Sequence, residues 1–478
     1  MTDKIINRFY YFLLGIVICF FTSIDVIAQS ELSSSQKIHQ NDISYFKTGD
    51  RVCFVGNSIT NNGEFHHNIF LYHLTRYPEQ ELAFFNCGIS GDKTGGVLAR
   101  MEDDILINNP TVVVIMLGMN DVNRSLYGLE EASENRKKRM EAAITLYKNN
   151  FIEIVNLFLS KNIKVILERP TIYDQTANLE TLNHFGVNDA LKTCANFIDE
   201  VAKEYELSVV DYWTIMNKLN NEMQAKNPSA TITSKDRVHP RSTGHLVMAY
   251  QFLKAENAPK YVSKVVIEDN KQISKTKSTN CEINYVKKSK NDIVFSVKEN
   301  ALPFPSVPSQ KEGLDLVPFN EELNIELLQV VNLSSGSYEL TIDGVLIDIF
   351  SEVQLNKGIN LANYPLTPQY KQALKVREVL EELWKQEAKL RDIKFIEYNK
   401  YYKDCPNKEN LTKLKPYLES VFSKKYTSSY HHRKLQDYLE YKPNELEIKA
   451  SLNKLRAKSF DLAKPVNHVF MIKKSKTE

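Results

Sequence analysis

The sequence predicts an α/β fold with a doubly wound parallel sheet, followed by a β-rich segment and a helical extension. Short apolar runs alternate with longer segments of helical periodicity between Arg51 and Phe252, and this alternation is typical of such sheets. Thr111–Leu117 (TVVVIML) is a continuous apolar run rich in β-branched residues, as expected for a strand buried on both faces. After about Ala258 the pattern changes to short strands, so the α/β region is expected to end there.

Five strands and four helical stretches are predicted in the α/β region. The strands are Arg51–Val55, Ala83–Asn86, Thr111–Leu117, Ile163–Leu167 and Leu207–Val210. The helical stretches are Gly95–Ile107, Glu134–Ser160, Val187–Tyr205 and Ser242–Phe252. Ligands of such sheets bind at the carboxyl ends of the strands, so side chains that directly follow a strand are the first candidates for function.

The segment 259–365 is predicted to be β-rich, with a small sandwich as the expected architecture. Strand-like runs occur at Ile283–Val286 and Ile293–Val297. Apolar and polar residues alternate over Tyr338–Ile342, and Asp343-Gly344 follows as a hairpin turn.

The segment 366–478 is predicted to be a helical extension. Thr367 is a suitable N-cap, Pro368 suits the first helical position, and apolar residues continue at helical spacing to about Tyr398. Lys-rich helical sequence is expected to the end of the chain, with Lys473–Lys476 as solvated surface or a frayed tail.

The N-terminus is interpreted as a secretory signal peptide, residues 1–28, followed by a polar linker, residues 29–46, and the α/β domain, residues 47–258. Lys4 and Arg8 precede an apolar run, Phe9–Phe21, and the sequence ending at Ala28 suits cleavage. The run is shorter than the ~20 residues of a membrane span. The protein is therefore expected to be exported, to the periplasm or outside the cell, without stable membrane insertion; an uncleaved anchor is the alternative.

Charge and cysteine content exclude several classes of partner and cofactor. The 478 residues carry a net charge of only +2, so no overall field recruits nucleic acid. The five cysteines after residue 28 are widely spaced and form no CxxC pair, which argues against a disulfide framework or a zinc site. We expect no cofactor and no metal.

Four short segments carry candidate chemistry. They are Gly56-Asn57-Ser58-Ile59-Thr60, Gly88-Ile89-Ser90-Gly91-Asp92, Gly118-Met119-Asn120-Asp121 and Asp236-Arg237-Val238-His239-Pro240. Ser58 follows a strand and is either a nucleophile or a helix N-cap. Gly91 and Asn120 can donate N–H groups to an oxyanion, or serve as a turn glycine and a cap.

The last segment offers a base and its orienting acid. His239 can take a serine proton and return it to a leaving group, and Asp236, three residues earlier, can bind the other ring nitrogen. A surface loop or a helix cap is the alternative. His245 is a competing base without an evident carboxylate partner, and Asp121 is assigned to capping or structural hydrogen bonds.

In this order the four segments strongly resemble the GDSL/SGNH hydrolase superfamily, over roughly residues 48–255. The resemblance implies a flavodoxin-like α/β/α sandwich, with Ser58 as nucleophile and Asp236 and His239 as the remainder of the triad. It also implies Gly91 and Asn120 as the oxyanion hole. One position departs: the family signature has Asp where this chain has Asn57, which puts rate and pH optimum in question.

The expected function is a serine esterase that removes small acyl groups, acetyl first among them, from a polysaccharide or oligosaccharide. A lipase, lysophospholipase or thioesterase of the same superfamily is the first alternative, and a catalytically weak glycan-binding module is the second. The region after Ala258 resembles extensions of some secreted bacterial members. It is expected to be a scaffold or a lid rather than a carbohydrate-binding accessory, because its long helix has apolar positions that need a partner surface.

Overall fold

The computed structural model describes residues 45–268, 276–289, 292–405 and 407–475. The predicted signal peptide and the predicted linker up to residue 44 lie outside these ranges. Within them, no helix combines the length and the apolar character that a membrane crossing requires. Phe46, at the end of the predicted linker, is only 3% exposed and packs edge-on against Phe84, so the folded core begins one residue before the predicted domain start.

The α/β region contains a parallel sheet of five strands. These are β1 Arg51–Gly56, β2 Ala83–Gly88, β3 Val112–Met116, β4 Lys164–Arg169 and β5 Ser208–Asp211. Their spatial order is β2-β1-β3-β4-β5, with every neighbouring pair parallel. This is the flavodoxin-like order. The predicted fold class is confirmed, and all five predicted strands are present.

Seven helices belong to the described part of this region. They are α1 Ser58–Asn62, α2 Glu64–Arg76, α3 Thr94–Ala99, α4 Glu134–Ser160, α5 Val187–Tyr205, α6 Tyr212–Lys226 and α7 Ser242–Ala255. The bounds of α4 and α5 match the prediction. Their apolar faces cover β1, β3 and β4 in one continuous core, which fixes the sheet from which the loops of the site project.

The predicted single helix Gly95–Ile107 is wrong in its middle. Helix α3 ends at Ala99, a π-helical turn covers Met101–Ile105 and a short 3₁₀ turn follows. At Arg100 the backbone leaves helical geometry, with φ −115° and ψ 11°. Arg100 is 1% exposed, and its guanidinium binds the carboxylates of Asp92 and Asp104, which a continuous helix pattern does not reveal.

The β-rich segment forms two sheets. Their strands are β6 Tyr261–Glu268, β7 Thr276–Thr279, β8 Cys281–Lys288, β9 Asp292–Glu299, β10 Ile325–Val331, β11 Ser337–Ile342, β12 Val345–Ser351, β13 Ile359–Asn360 and β14 Asn467–Lys474. One sheet has the order β13-β10-β6-β7 and the other β12-β11-β14-β9-β8. Three short helices lie within this segment: α8 Lys311–Leu316, α9 Phe319–Glu322 and α10 Glu352–Lys357. Apolar side chains of both sheets share one core, as the expected sandwich requires.

Strand β14 corrects the prediction that the extension is helical to its end. It lies between β11 and β9 and buries His468, Phe470 and Ile472. Lys473 and Lys474 are therefore strand residues rather than a frayed tail. The alternation of apolar and polar residues in this segment is short and follows a long helical stretch, so the local sequence favoured a helix. In the structure, hydrogen bonding to a neighbouring strand on each side makes the segment a strand.

The remainder of the extension is helical, as predicted. Its helices are α11 Pro368–Glu397, α12 Lys400–Lys403, α13 Leu411–Lys425, α14 Ser429–Tyr441 and α15 Glu445–Ala463. Thr367 is the N-cap of α11, with Pro368 at its first position. Glu387 of α11 accepts a hydrogen bond from the backbone N–H of Asn86 at 2.9 Å, so this helix covers the edge strand β2 and satisfies one of its free donors.

Candidate active site

Ser58, His239 and Asp236 form a continuous chain of hydrogen bonds. Ser58 Oγ lies 2.7 Å from His239 Nε2, and His239 Nδ1 lies 2.6 Å from Asp236 Oδ2. The imidazole can therefore accept the serine proton on one nitrogen while the carboxylate holds the N–H of the other. The structure thus brings Ser58 to the Asp236–His239 pair, which lies far from it in sequence, and assembles the three groups that nucleophilic catalysis needs.

The Asp236 carboxylate is held as an anion. Burial opposes ionisation, but a hydrogen bond with His239, another from Ser234 Oγ at 2.6 Å and two from backbone N–H groups keep the pKa of Asp236 well below its usual value. The side chains of Asp236 and His239 are 49% and 41% exposed. The pair therefore lies at the open rim of the site, with the ionised carboxylate placed to hold the His239 ring through its Nδ1.

Ser58 is the first residue of α1, directly after β1. Asn57 is the N-cap, and its Oδ1 accepts the backbone N–H of Ile59 at 3.1 Å. The cap role considered for Ser58 thus belongs to Asn57, which is 2% exposed, and the Ser58 hydroxyl remains available to His239. Gly56 permits the close approach of β1 to β3 and α1, since a Cβ there would lie 2.8 Å from the Met116 carbonyl oxygen and 2.1 Å from Thr60 Oγ1.

Gly91 and Asn120 face the same space from neighbouring loops. Gly91 has a φ of +83°, a conformation that other residues seldom adopt, and its N–H donates to no other described residue. Asn120 Nδ2 donates to the Asp92 carbonyl oxygen at 2.9 Å. Since a primary amide has two N–H donors, the second N–H of Asn120 is left for a ligand.

Asp121 takes the structural role that the sequence suggested, and His245 is poorly suited to act as the competing base. Asp121 accepts hydrogen bonds from the backbone N–H and hydroxyl of Thr94 and from the Gly118 N–H, at 2.8, 2.7 and 3.2 Å, and so ties the third segment to the start of α3. His245 is 1% exposed. Burial lowers the pKa of His245 to about 3, which leaves it a weaker base than the task requires.

A cavity of about 540 Å³ opens over Ser58. Four of the five predicted site residues line it, and the fifth, Asp236, lies behind His239. Its lining comprises Ser58, Ile59, Asn61, Asn62, Ser90, Gly91, Asn120, Arg124, His239, Pro240, His245, Phe395, Tyr430, His431 and Lys434. None of these is acidic, and most carry a polar group.

The C-terminal extension builds one wall of this cavity, which the sequence did not reveal. Phe395 of α11 packs edge-on against Tyr430 of α14, with ring centroids 5.8 Å apart. His431 stacks on Tyr426 at 4.0 Å, and burial lowers the pKa of His431. Lys434 pairs with Asp392. The extension was expected as a scaffold or lid, but no local signal marks these side chains as lining a site, because helix periodicity alone does not say what a helix faces.

A second cavity, of about 410 Å³, adjoins the first at the Gly91 loop. Ser90, Gly91, Phe395 and His431 line both. The two cavities therefore offer more room than a small acyl group needs. No cluster of three or more metal-binding side chains occurs in the described ranges.

Comparisons with known proteins agree with this geometry. The family model of GDSL-like lipases and acylhydrolases matches residues 52–252. A solved structure described as a gut microbial diltiazem-metabolizing enzyme is 31% identical, with a TM-score of 0.81, and the match covers 91% of this chain and 99% of that one. The chain belongs to the GDSL/SGNH hydrolase superfamily.

This GDSL/SGNH hydrolase also has a curated relative of about half its length. An acetylxylan esterase of Geobacillus stearothermophilus is 26% identical over 226 residues, which cover 43% of this chain and 94% of the relative. That match covers less than half of this chain, whereas the diltiazem-metabolizing enzyme matches nearly the whole chain. The protein is therefore a hydrolase of the GDSL esterase family with an extension shared by at least one solved relative.

Proposed function

We propose that the protein is a serine esterase that hydrolyses acetyl or similarly small acyl esters on a carbohydrate. The proposal depends most on one observation: Ser58, His239 and Asp236 are joined by hydrogen bonds of 2.7 and 2.6 Å at the floor and rim of an open cavity. Ester hydrolysis is the activity common to this family.

The residues have the following roles in the proposed mechanism. Ser58 Oγ attacks the ester carbonyl carbon while His239 Nε2 takes the hydroxyl proton, and Asp236 stabilises the imidazolium. The Gly91 N–H and the free N–H of Asn120 donate to the oxyanion of the tetrahedral intermediate. When the carbon–oxygen bond breaks, His239 returns the proton to the sugar alkoxide. Water then attacks the acyl-enzyme, losing its proton to His239, and the free acid leaves as Ser58 regains its hydrogen.

The lining supports a small acyl group on a polar alcohol. Asn61 and Asn120 line the cavity with Ser58, and their amides suit hydroxyl groups better than a long acyl chain. Tyr430 and Phe395 provide aromatic area on the opposite wall, which suits a ring-shaped ligand. The adjoining cavity at Gly91 leaves space for further sugar units.

The relatives supply the remaining support. One is described as an acetylxylan esterase, and the other metabolises diltiazem, a compound that contains an acetate ester. The acetyl group is the chemical feature that these two substrates share. The alcohol portions of the two substrates differ greatly. This difference agrees with a specificity for the alcohol that is set by residues away from the reacting atoms.

Acetate release from a panel of acetylated plant and microbial polysaccharides tests this proposal. We expect release from at least one glycan, and a loss of at least ~10³-fold in Ser58→Ala, since removal of the nucleophile leaves only binding and the oxyanion hole. A series of 4-nitrophenyl esters tests the alternatives. A preference for acyl chains of about eight carbons or more would favour a lipase or thioesterase, and equal, slow rates for wild type and Ser58→Ala would favour a binding module.

A further inference from the structure

We infer that Arg391, on helix α11 of the C-terminal extension, is a positioning residue for the loop that contains Gly91. The inference rests on the proposed function, because it takes Gly91 and Asn120 as the donors to the oxyanion. Its basis is a buried network of hydrogen bonds that reaches this loop on both sides of Gly91.

On the side before Gly91, Arg391 contacts the loop directly. Its Nε donates to the Gly88 carbonyl oxygen at 3.1 Å, at the end of β2 where the loop begins. The same carbonyl accepts from Asn61 Nδ2 at 3.1 Å. A Cβ on Gly88 would lie 2.2 Å from the Asn61 backbone nitrogen, so strand and helix α1 approach as closely as a glycine allows.

On the side after Gly91, the contact passes through two further residues. Arg391 Nη1 and Nη2 donate to the two oxygens of Asp104 at 2.8 Å each. Asp104 Oδ2 also accepts from Arg100 Nη1 at 2.6 Å, and Arg100 Nε donates to Asp92 Oδ2 at 2.8 Å. Asp92 follows Gly91 and accepts the Asn120 amide through its carbonyl oxygen. Both proposed oxyanion donors are thus held by residues of one network.

Three of the four charged residues of the network are almost free of solvent. Arg100, Arg391 and Asp104 are 1%, 5% and 3% exposed. Burial opposes ionisation of Asp104, but Arg391 and Arg100 keep its pKa well below the usual value. Bidentate arginine–carboxylate pairs fix orientation, and removing one partner of a buried pair leaves an uncompensated charge. The network therefore specifies where the loop lies.

Arg377 provides a matched control on the same helix. It is 6% exposed and donates to the Pro305 carbonyl oxygen at 3.0 Å and to Gln310 Oε1 at 3.2 Å. Like Arg391, it attaches α11 to another part of the chain. Unlike Arg391, it makes no hydrogen bond to a strand end or loop of the site.

The test compares Arg391→Met, Arg391→Lys and Arg377→Met in the full chain, with 4-nitrophenyl acetate as substrate. Thermal unfolding is measured in parallel, and both Met variants are expected to lower Tm. For Arg391→Met we expect kcat to fall by about tenfold or more at nearly unchanged KM, since a displacement of ~1 Å at a reacting centre can cost about 10²-fold. Arg377→Met should keep kcat within about threefold of wild type, since its contacts lie away from the site.

Arg391→Lys separates positioning from folding. A lysine keeps a charge beside Asp104 but has no planar fork, so kcat should lie between those of wild type and Arg391→Met. If Arg391→Met does not fold, a kcat for Arg391→Lys below that of Arg377→Met still supports the inference.

The inference is overturned if the Arg391 variants keep the kcat of Arg377→Met, or if kcat falls in proportion to Tm at both positions. Ser58→Ala in the same assay distinguishes failure of the positioning role from failure of the proposed function. Loss of turnover in Ser58→Ala together with full turnover in Arg391→Met removes only the positioning role. Retained turnover in Ser58→Ala removes the proposed function itself.

Discussion

The two walls of the cavity over Ser58 are built in different ways. The wall from the parallel sheet consists of loop residues that directly follow strands or lie at a helix start, such as Ser58, Gly91 and Asn120. The wall from the extension consists of long side chains on two helices, such as Phe395, Tyr430 and Lys434. The first wall can place N–H and O–H groups within tenths of an ångström, because the sheet fixes its backbone. The second offers aromatic and charged side chains that project from the helices of the extension.

From this difference we expect the sheet wall to supply reactivity and the extension wall to select the alcohol. The expectation agrees with the comparisons, in which the curated acetylxylan esterase matches 43% of this chain and the family model matches residues 52–252. Substitutions in the sheet wall should therefore lower kcat, and those in the helical wall should raise KM. The following predictions are arranged from the largest expected effect to the smallest.

Asp236→Asn should lower kcat by about 10²–10⁴-fold, because an amide at this place no longer stabilises the imidazolium or fixes its tautomer. The measurement is the steady-state rate with 4-nitrophenyl acetate. Ser234→Ala is the matched control, since Ser234 donates to the other oxygen of Asp236 at 2.6 Å and leaves the bond to His239 intact. Equal rates in Asp236→Asn and Ser234→Ala would contradict the triad.

Asn120→Ala should lower kcat by about 10²–10³-fold, as expected for loss of one oxyanion donor. KM should change little, because the donor acts on charge that develops during the reaction. Asn62→Ala serves as control: Asn62 also lines the cavity, but its side chain accepts only the Glu64 N–H at 3.3 Å among the described contacts. Similar losses in both variants would mean that Asn120 has no special role.

Tyr430→Ala should raise KM for an acetylated oligosaccharide by about three- to tenfold, the size expected for one aromatic contact. KM for ethyl acetate, which has no ring to contact, should stay within about twofold. Tyr417→Ala on α13, outside the cavity lining, is the control. An equal increase of KM for both esters would mean that Tyr430 contacts the acyl group. That result would contradict the assignment of alcohol selection to the extension wall.

Glu168→Gln should change stability without changing the reaction. Glu168 on β4 is 1% exposed, and burial raises its pKa to about 8 against an opposing hydrogen bond from the Tyr212 hydroxyl at 2.7 Å. The folded state therefore binds this proton more tightly than the unfolded state. Its contribution is fully present below about pH 4.5 and is lost as the pH rises to about 8.

The variant should accordingly raise Tm at pH 9 by on the order of a few degrees relative to wild type, and by less at pH 5. Glu204 is exposed, so the control variant Glu204→Gln should show no pH-dependent difference in Tm from wild type. For Asp104, which binds Arg391 of the extension, the pH dependence of stability has the opposite sign. The lowered pKa of Asp104 means that its contribution is lost as the pH falls, so acid should weaken the attachment of α11 first. A Glu168→Gln effect of equal size at both pH values would contradict the burial argument.

The sequence predicted the sheet wall well because its signals are local. At the ends of β1, β2 and β3, a glycine and a polar residue occur within a few positions of one another. The spacing of Asp236 and His239 was likewise enough to predict one hydrogen bond. Asn57 could be marked as a departure from the family, but only the structure assigned it the cap of α1, which the sequence had left open for Ser58.

The extension was predicted as helical, and its long helix was predicted correctly, but its contacts were not. Strand β14 was missed because its eight residues follow nearly a hundred residues of helical sequence. Arg391 resembles any surface arginine on a helix in the sequence, since charge on a helical face is usually solvated. Its partner Asp104 lies 287 positions away.

The sequence by itself thus determined the fold class, the reaction type and the five residues expected to perform it, because strand periodicity and short motifs record local backbone requirements. Only the tertiary structure decided that Ser58, His239 and Asp236 meet, that the extension closes the cavity, and that Arg391 reaches the Gly91 loop. These facts depend on long-range packing, in which burial and pairing partners are set by the whole fold rather than by neighbouring residues.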